Sequence, residues 1–125
     1  MFDLTAEEAR LLLNVALMAT GGNRFQSAAK ILVALERFRP DSPSVAVGKA
    51  ILLISAQQFA EAADYIGNEA LVRFPGNAML LAFKGMALKR LGRDSDAAEV
   101  LLAASQQTDD PAAAQLAGGL MDNDD

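Results

Sequence analysis

The stretch Asp94-Ser95-Asp96 comes nearest in this sequence to a chemical motif, since alternating carboxylates around a hydroxyl open many calcium loops. A working loop also needs a turn glycine and a closing glutamate that chelates with both oxygens, and neither follows here. The acids of the closing "MDNDD" repel one another and make a solvated tail rather than a site. The sequence has no cysteine and no histidine. That removes the thiolate nucleophile, the thiolate metal ligand, the usual general base near pH 7 and the commonest metal ligand. We therefore expect no catalytic residues, no metal and no cofactor, and a protein that binds rather than an enzyme.

Charge narrows the partner. Against 16 Asp and Glu stand 11 scattered Lys and Arg, a formal net charge of -5, with no basic stripe for nucleic acid or for an anionic membrane surface. The opening "MFDLTAEEAR" is acidic where a secretory signal is basic, and the longest apolar-rich run, "LLLNVALMA", falls far short of the roughly 20 residues of a membrane span. These features point to a soluble, cytoplasmic chain with a protein partner.

What remains to do work is apolar surface, and the elements that carry it repeat. "NRFQSAAKIL", "QQFAEAADYI" and "GRDSDAAEVL" share one frame. Ala28, Ala62 and Ala97 fall at intervals of 34 and 35 residues, Ala16, Ala50 and Gly85 likewise, and Pro40, Pro75 and Pro111 at 35 and 36. A shared period of this length is the mark of a helical repeat array. The capping pattern Thr5-x-x-Glu8 predicts a first helix from about Ala6 to Thr20, closed by Gly21 and Gly22. Phe25, Ala28, Leu32 and Leu35 mark one face of a second helix over 24–38, and Pro40 ends it. Ser42-Pro43 opens a third, to about Ser55. A fourth spans about Phe59 to Arg73, with Gly67 as a point of bending or early termination. Asn77 caps a fifth, to about Leu91; a sixth runs from Asp94 or Ser95 to about Gln107; Asp110-Pro111 opens a short seventh. No stretch alternates long enough for a strand. The expected fold is all-α, one domain over 1–121 with an acidic disordered tail at 122–125.

This pattern resembles the tetratricopeptide repeat (TPR), with a small residue at the eighth place of a 34-residue helix-turn-helix unit, alanine at the twentieth and proline at the thirty-second. The third unit, "LAFKGMALKRLGRDSDAAEVLLAAS", supplies Gly85, Gly92, Ala97 and Ala104; the first supplies Ala16, Phe25, Ala28 and Pro40; the second supplies Ala50, Phe59 and Ala62. The resemblance implies three hairpins plus a C-terminal helix, wound into a short right-handed superhelix with a concave groove. The repeated small residues then serve close helix approach, with Phe25 and Phe59 filling the wedge between helices.

In TPR proteins the concave side is lined by set places of each first helix. Here these places hold Arg10, Leu13, Asn14, Leu17 and Thr20, then Ser44, Val47, Gly48, Ile51 and Ile54, then Met79, Ala82, Phe83, Met86 and Lys89. The implied partner-binding set is Leu13, Leu17, Val47, Ile51, Ile54, Met79, Phe83 and Met86. TPR co-chaperones that grip an acidic tail use cations and asparagine where Leu13, Leu17, Gly48, Met79 and Phe83 stand, so that function does not fit. An apolar groove suits an amphipathic helix. If each of the eight left about 50 Å² open, the patch would reach roughly 400 Å², at or above what an isolated soluble protein usually shows. The terminal helix "PAAAQLAGGLM" or a second copy of the chain is the alternative cover.

A narrower likeness concerns "LLLNVALMATGGNRFQSAAKILVALERF" and "QTDDPAAAQLAGGLM". They are similar to the small TPR-like chaperones of the type III secretion needle subunit, the YscG and EscG type, with Thr20-Gly21, Ala28 and Asp110-Pro111 in matching places. That resemblance implies a cytoplasmic bacterial chaperone that buries the amphipathic helix of a secreted needle subunit until export, usually with a small co-chaperone. Two alternatives stay open: a chaperone of secreted translocators, and a TPR adaptor that self-associates, a homodimer included.

Overall fold

The structure, a computed structural model, describes residues 4–107 and 109–122; these residues are helical, with no strand among them. Helix α1, Ala6–Gly21, starts at the expected capping box. The Glu8 N–H donates to Thr5 Oγ1 at 3.1 Å, and the Thr5 N–H donates to Glu8 Oε1 at 3.0 Å, so two otherwise orphaned donors are satisfied reciprocally. Helix α2 spans Phe25–Phe38 and α3 spans Pro43–Ser55, the latter with proline in its first turn and the Ser42 hydroxyl accepting from the Val45 N–H. Helix α6, Ala78–Arg90, begins where Asn77 accepts from the Leu80 N–H at 3.0 Å. Helix α7 is Asp94–Ser105, and α8 is Pro111–Asp122, where Asp110 accepts from the Ala113 N–H at 3.1 Å. Helix α8 covers the expected terminal helix "PAAAQLAGGLM" and takes in Asp122 from the expected tail. The rest of that tail, 123–125, lies outside the described residues.

The fourth helix departs from expectation. It is α-helical over Phe59–Tyr65 (α4), widens into a π-helical turn over Ile66–Ala70, and returns to α form over Leu71–Arg73 (α5). Gly67 therefore neither ends nor breaks the helix. The bulge holds it in the widened turn, where a Cβ would meet Lys84 Nζ at 3.2 Å. The chain leaves the helical region at Phe74, one residue before Pro75, as the restriction on residues preceding proline requires.

The repeated phrase proves to be a repeated turn. Asn23, Gln57 and Gly92, spaced at the same 34 and 35 residues, all take positive φ, at 63°, 61° and 78°. The residues after them, Arg24, Gln58 and Arg93, share one conformation, with φ of -92°, -93° and -93° and ψ of 66°, 67° and 67°. Arg39 and Phe74 match each other in the same way at the ends of their helices, with φ of -135° and -126°. Side chains at the period's alanines are buried: Ala28 and Ala62 at 0% exposure and Ala97 at 1%.

The chain forms two compact units, Met1–Gln57 and Gln58–Asp125. In the first, α1 packs on α2 and both pack on α3. Its core gathers Ala9, Ala16, Ala28, Leu32, Leu35, Val45 and Leu52, with Leu13 and Phe25 packed against it. Lys49 on α3 and Glu36 on α2 form a half-buried ion pair at 3.1 Å. In the second unit, α4 and the π turn pack on α6, α6 packs on α7, and α8 packs on both α6 and α7. Gly85 makes the closest approach: a Cβ there would lie 2.4 Å from Cγ and Cδ2 of Leu101, a side chain that is itself 1% exposed. The small residue at this repeat position is thus a packing necessity between α6 and α7. The Arg90 guanidinium lies over the Phe59 ring, 5.8 Å from its centre, so Phe59 is a joint within this unit.

Candidate functional site

The eight side chains expected to bind a partner occupy three helices. Leu13 and Leu17 lie on α1, Val47, Ile51 and Ile54 on α3, and Met79, Phe83 and Met86 on α6. The last two sets repeat a spacing of four then three residues, which places each set in one stripe along its helix. All eight are half-buried. Such exposure leaves each with apolar surface to offer.

In the first unit Leu13 anchors this surface. Glycine at position 48 is what lets it settle, because a Cβ there would come within 2.8 Å of Leu13 Cδ1 and 3.2 Å of Leu32 Cδ2. Leu13 thus rests against α3 one residue from Val47. In the second unit, Met79, Phe83 and Met86 stay half-buried although α8 packs on the helix that carries them.

Four residues that the repeat placed along the groove have other work. Thr20 is 3% exposed, and its hydroxyl donates to the Ala16 carbonyl at 2.9 Å, so the helix satisfies it internally. Gly48 is buried under Leu13, and Ala82 is fully buried. The Lys89 ammonium donates to the carbonyl of Leu120, joining α6 to α8. Arg10, Asn14 and Ser44 are exposed.

One apolar surface was not anticipated. Leu11 is 60% exposed, Val15 49% and Met18 75%, with Leu12 beside them. At spacings of four and three residues these side chains line the face of α1 opposite Ala9, Ala16 and Thr20, which are buried. The signal was present in "LLLNVALMA", which is apolar on every side of the helix but that of Asn14. Assigning one face of it to a partner left the other face unaccounted for.

The Glu8 carboxyl is held below the usual carboxylate range by the Thr5 backbone N–H and then by the Thr5 hydroxyl. Asp96, in the motif that resembled the start of a calcium loop, bonds to Arg93 at 2.8 Å. Among the described residues no group of three or more histidine, cysteine or acidic side chains is placed to hold a metal ion, and no helix is long and apolar enough to cross a membrane. Comparison with protein-family models, with curated proteins and with solved structures finds no match.

Proposed function

We propose that this chain is a helical-repeat protein of the TPR-like type that binds an amphipathic helix of a protein client, and that it is a holding chaperone rather than an enzyme. The observation that carries this reading is the set of half-buried apolar stripes, Val47-Ile51-Ile54 on α3 and Met79-Phe83-Met86 on α6, with Leu13 and Leu17 on α1. A client helix with apolar side chains at i, i+3, i+4 and i+7 would complete the burial of a stripe it packs on. Each anchor so covered contributes at most about 1.5–3 kcal/mol, less the fraction already buried. Two methionines in the α6 stripe suit a surface that adapts to its occupant. The client class we favour is a secreted, self-polymerising needle subunit of the type III kind, kept monomeric in the cytoplasm until export, with a small co-chaperone as a further partner. Co-expression with such a subunit followed by size exclusion tests it. A joint peak is expected, lost on Phe83→Asp or Leu17→Asp in a chain that stays helical; separate elution of the wild-type pair counts against the proposal.

A second reading has its own support. The outer stripe of α1, Leu11, Val15 and Met18, is more exposed than any of the eight, which favours self-association through that helix. Light scattering across a concentration series decides it: mass should rise with concentration and Val15→Asp should abolish the rise.

A further inference from the structure

The first unit contains a cavity of about 200 Å³ between the start of α1 and the start of α3, lined by Arg10, Arg39, Ser42, Ser44, Ala9 and Val45 among others. Among the described residues no acidic one lines it. In a chain of net charge -5 this is a concentrated cationic spot. Among the described residues Arg10 has no ion-pair or hydrogen-bond partner, while Arg39 uses one amino group on the Leu4 carbonyl, at 3.2 Å, and pairs with no carboxylate. Two nearby acids are engaged elsewhere, Glu8 accepting from the Thr5 N–H and Glu36 pairing with Lys49, while Glu7 and Asp41 are exposed and do not line the cavity. The Ser42 hydroxyl oxygen accepts from the Val45 N–H at 3.4 Å, which leaves its O–H free to donate. Ser44, in the first turn of α3, adds a second hydroxyl and the positive end of a thirteen-residue helix.

We infer that this cavity binds an oxyanion, either the side-chain carboxylate of an acidic peptide or a phosphate. Two guanidinium groups offer paired N–H donors with the fork geometry that such groups accept, and two hydroxyls line the same cavity. The site differs from the acidic-tail grip of TPR co-chaperones, whose cation positions are held here by Leu13 and Leu17. Leu13 of the proposed client surface also lines the cavity, but phosphate and a single-glutamate peptide probe the anion site without the client, so the two readings fail separately.

The test is a nitrogen-15 NMR titration of the full chain at low ionic strength. One arm uses inorganic phosphate, and another uses a short capped peptide with a single glutamate beside its glutamine counterpart. Saturable shifts at the Arg10 and Arg39 Nε–H groups and the Ser44 amide are expected, weakening as salt is added. Binding of the glutamate peptide alone identifies a carboxylate site, and binding of phosphate alone a phosphate site; either supports the inference. Arg10→Gln, at an exposed position, should weaken binding by about tenfold or more. Ser44→Asp should abolish it, because it sets a carboxylate in the cavity while an acid in the first helical turn leaves the fold at least as stable. The inference is overturned if neither probe gives saturable shifts through the millimolar range, or if Ser44→Asp binds as wild type does.

Discussion

Replacing Gly85 with alanine sets two effects of known sign against each other. In an open helical position the change should stabilise the chain by up to about 1 kcal/mol, since glycine is the poorer helix former. At Gly85 the new Cβ would stand 2.4 Å from Cγ and Cδ2 of Leu101, more than 1 Å inside the roughly 3.5–4.0 Å at which carbons pack. Leu101 is 1% exposed, and the nearest atoms include its branch point, so rotating a methyl away gives no relief. Overpacking of this kind costs about 1–3 kcal/mol. The two effects leave a net loss of up to about 2 kcal/mol. Gly118 in α8 is the control, because a Cβ there meets nothing within 4 Å, so Gly118→Ala should gain the full helical benefit. Urea unfolding followed by far-UV circular dichroism should therefore separate the two variants by about 2 kcal/mol, with Gly85→Ala the weaker. Leu101→Ala alone should cost about 2–5 kcal/mol, and combining it with Gly85→Ala should recover part of that loss, a coupling of about 0.5–3 kcal/mol. Equal stability of Gly85→Ala and Gly118→Ala, or zero coupling, would refute a steric conflict between position 85 and Leu101.

Other positions give simpler expectations. Gln57 holds a positive φ of 61° that its counterpart Gly92 adopts without strain, so Gln57→Gly should raise the urea midpoint, by about 1 kcal/mol in stability, and Gly92→Ala should lower it by a similar amount. Gly67→Ala at the π turn should change stability by less than about 1 kcal/mol, since the added Cβ meets the mobile end of Lys84; calorimetry showing a larger loss would mean the bulge itself requires glycine. The Glu8 carboxyl should titrate below 4.5 by carbon-13 NMR, and Thr5→Ala should move it upward. Because the folded value lies below the ordinary one, the stabilisation that Glu8 gives is full above that ordinary value and fades as the pH drops through the folded value, a loss that Glu8→Gln should remove. Removing the Asn77 cap with Asn77→Ala should cost about 1 kcal/mol by the same urea assay.

Much of the fold was legible because it is written in short-range chemistry. Thr5 with Glu8, Ser42 with Pro43, and Asn77 each begin a helix where their side chains accept from the backbone. The 34-residue period of Ala28 and Ala62 reappears as buried sites and as near-identical turn dihedrals. The π turn was not legible, since Gly67 marks a weak point in a helix without saying whether the chain will end, bend or widen there. The apolar stripes were legible as spacing, but their share of burial was not. Thr20 and Ala82 sit at positions that the repeat pattern assigns to the surface, and local packing takes them inside. The outer face of α1 escaped notice for the opposite reason: composition alone cannot tell which side of a mostly apolar run the core will choose.

The proposed client site is tested most directly by methyl NMR on a chain labelled at isoleucine, leucine, valine and methionine, titrated with a helical client of the needle-subunit kind. Binding should shift the methyls of Val47, Ile51, Ile54, Met79 and Met86 and leave those of Leu11, Val15 and Met18 in place. Shifts confined to Leu11, Val15 and Met18, or no shifts at all, would contradict it.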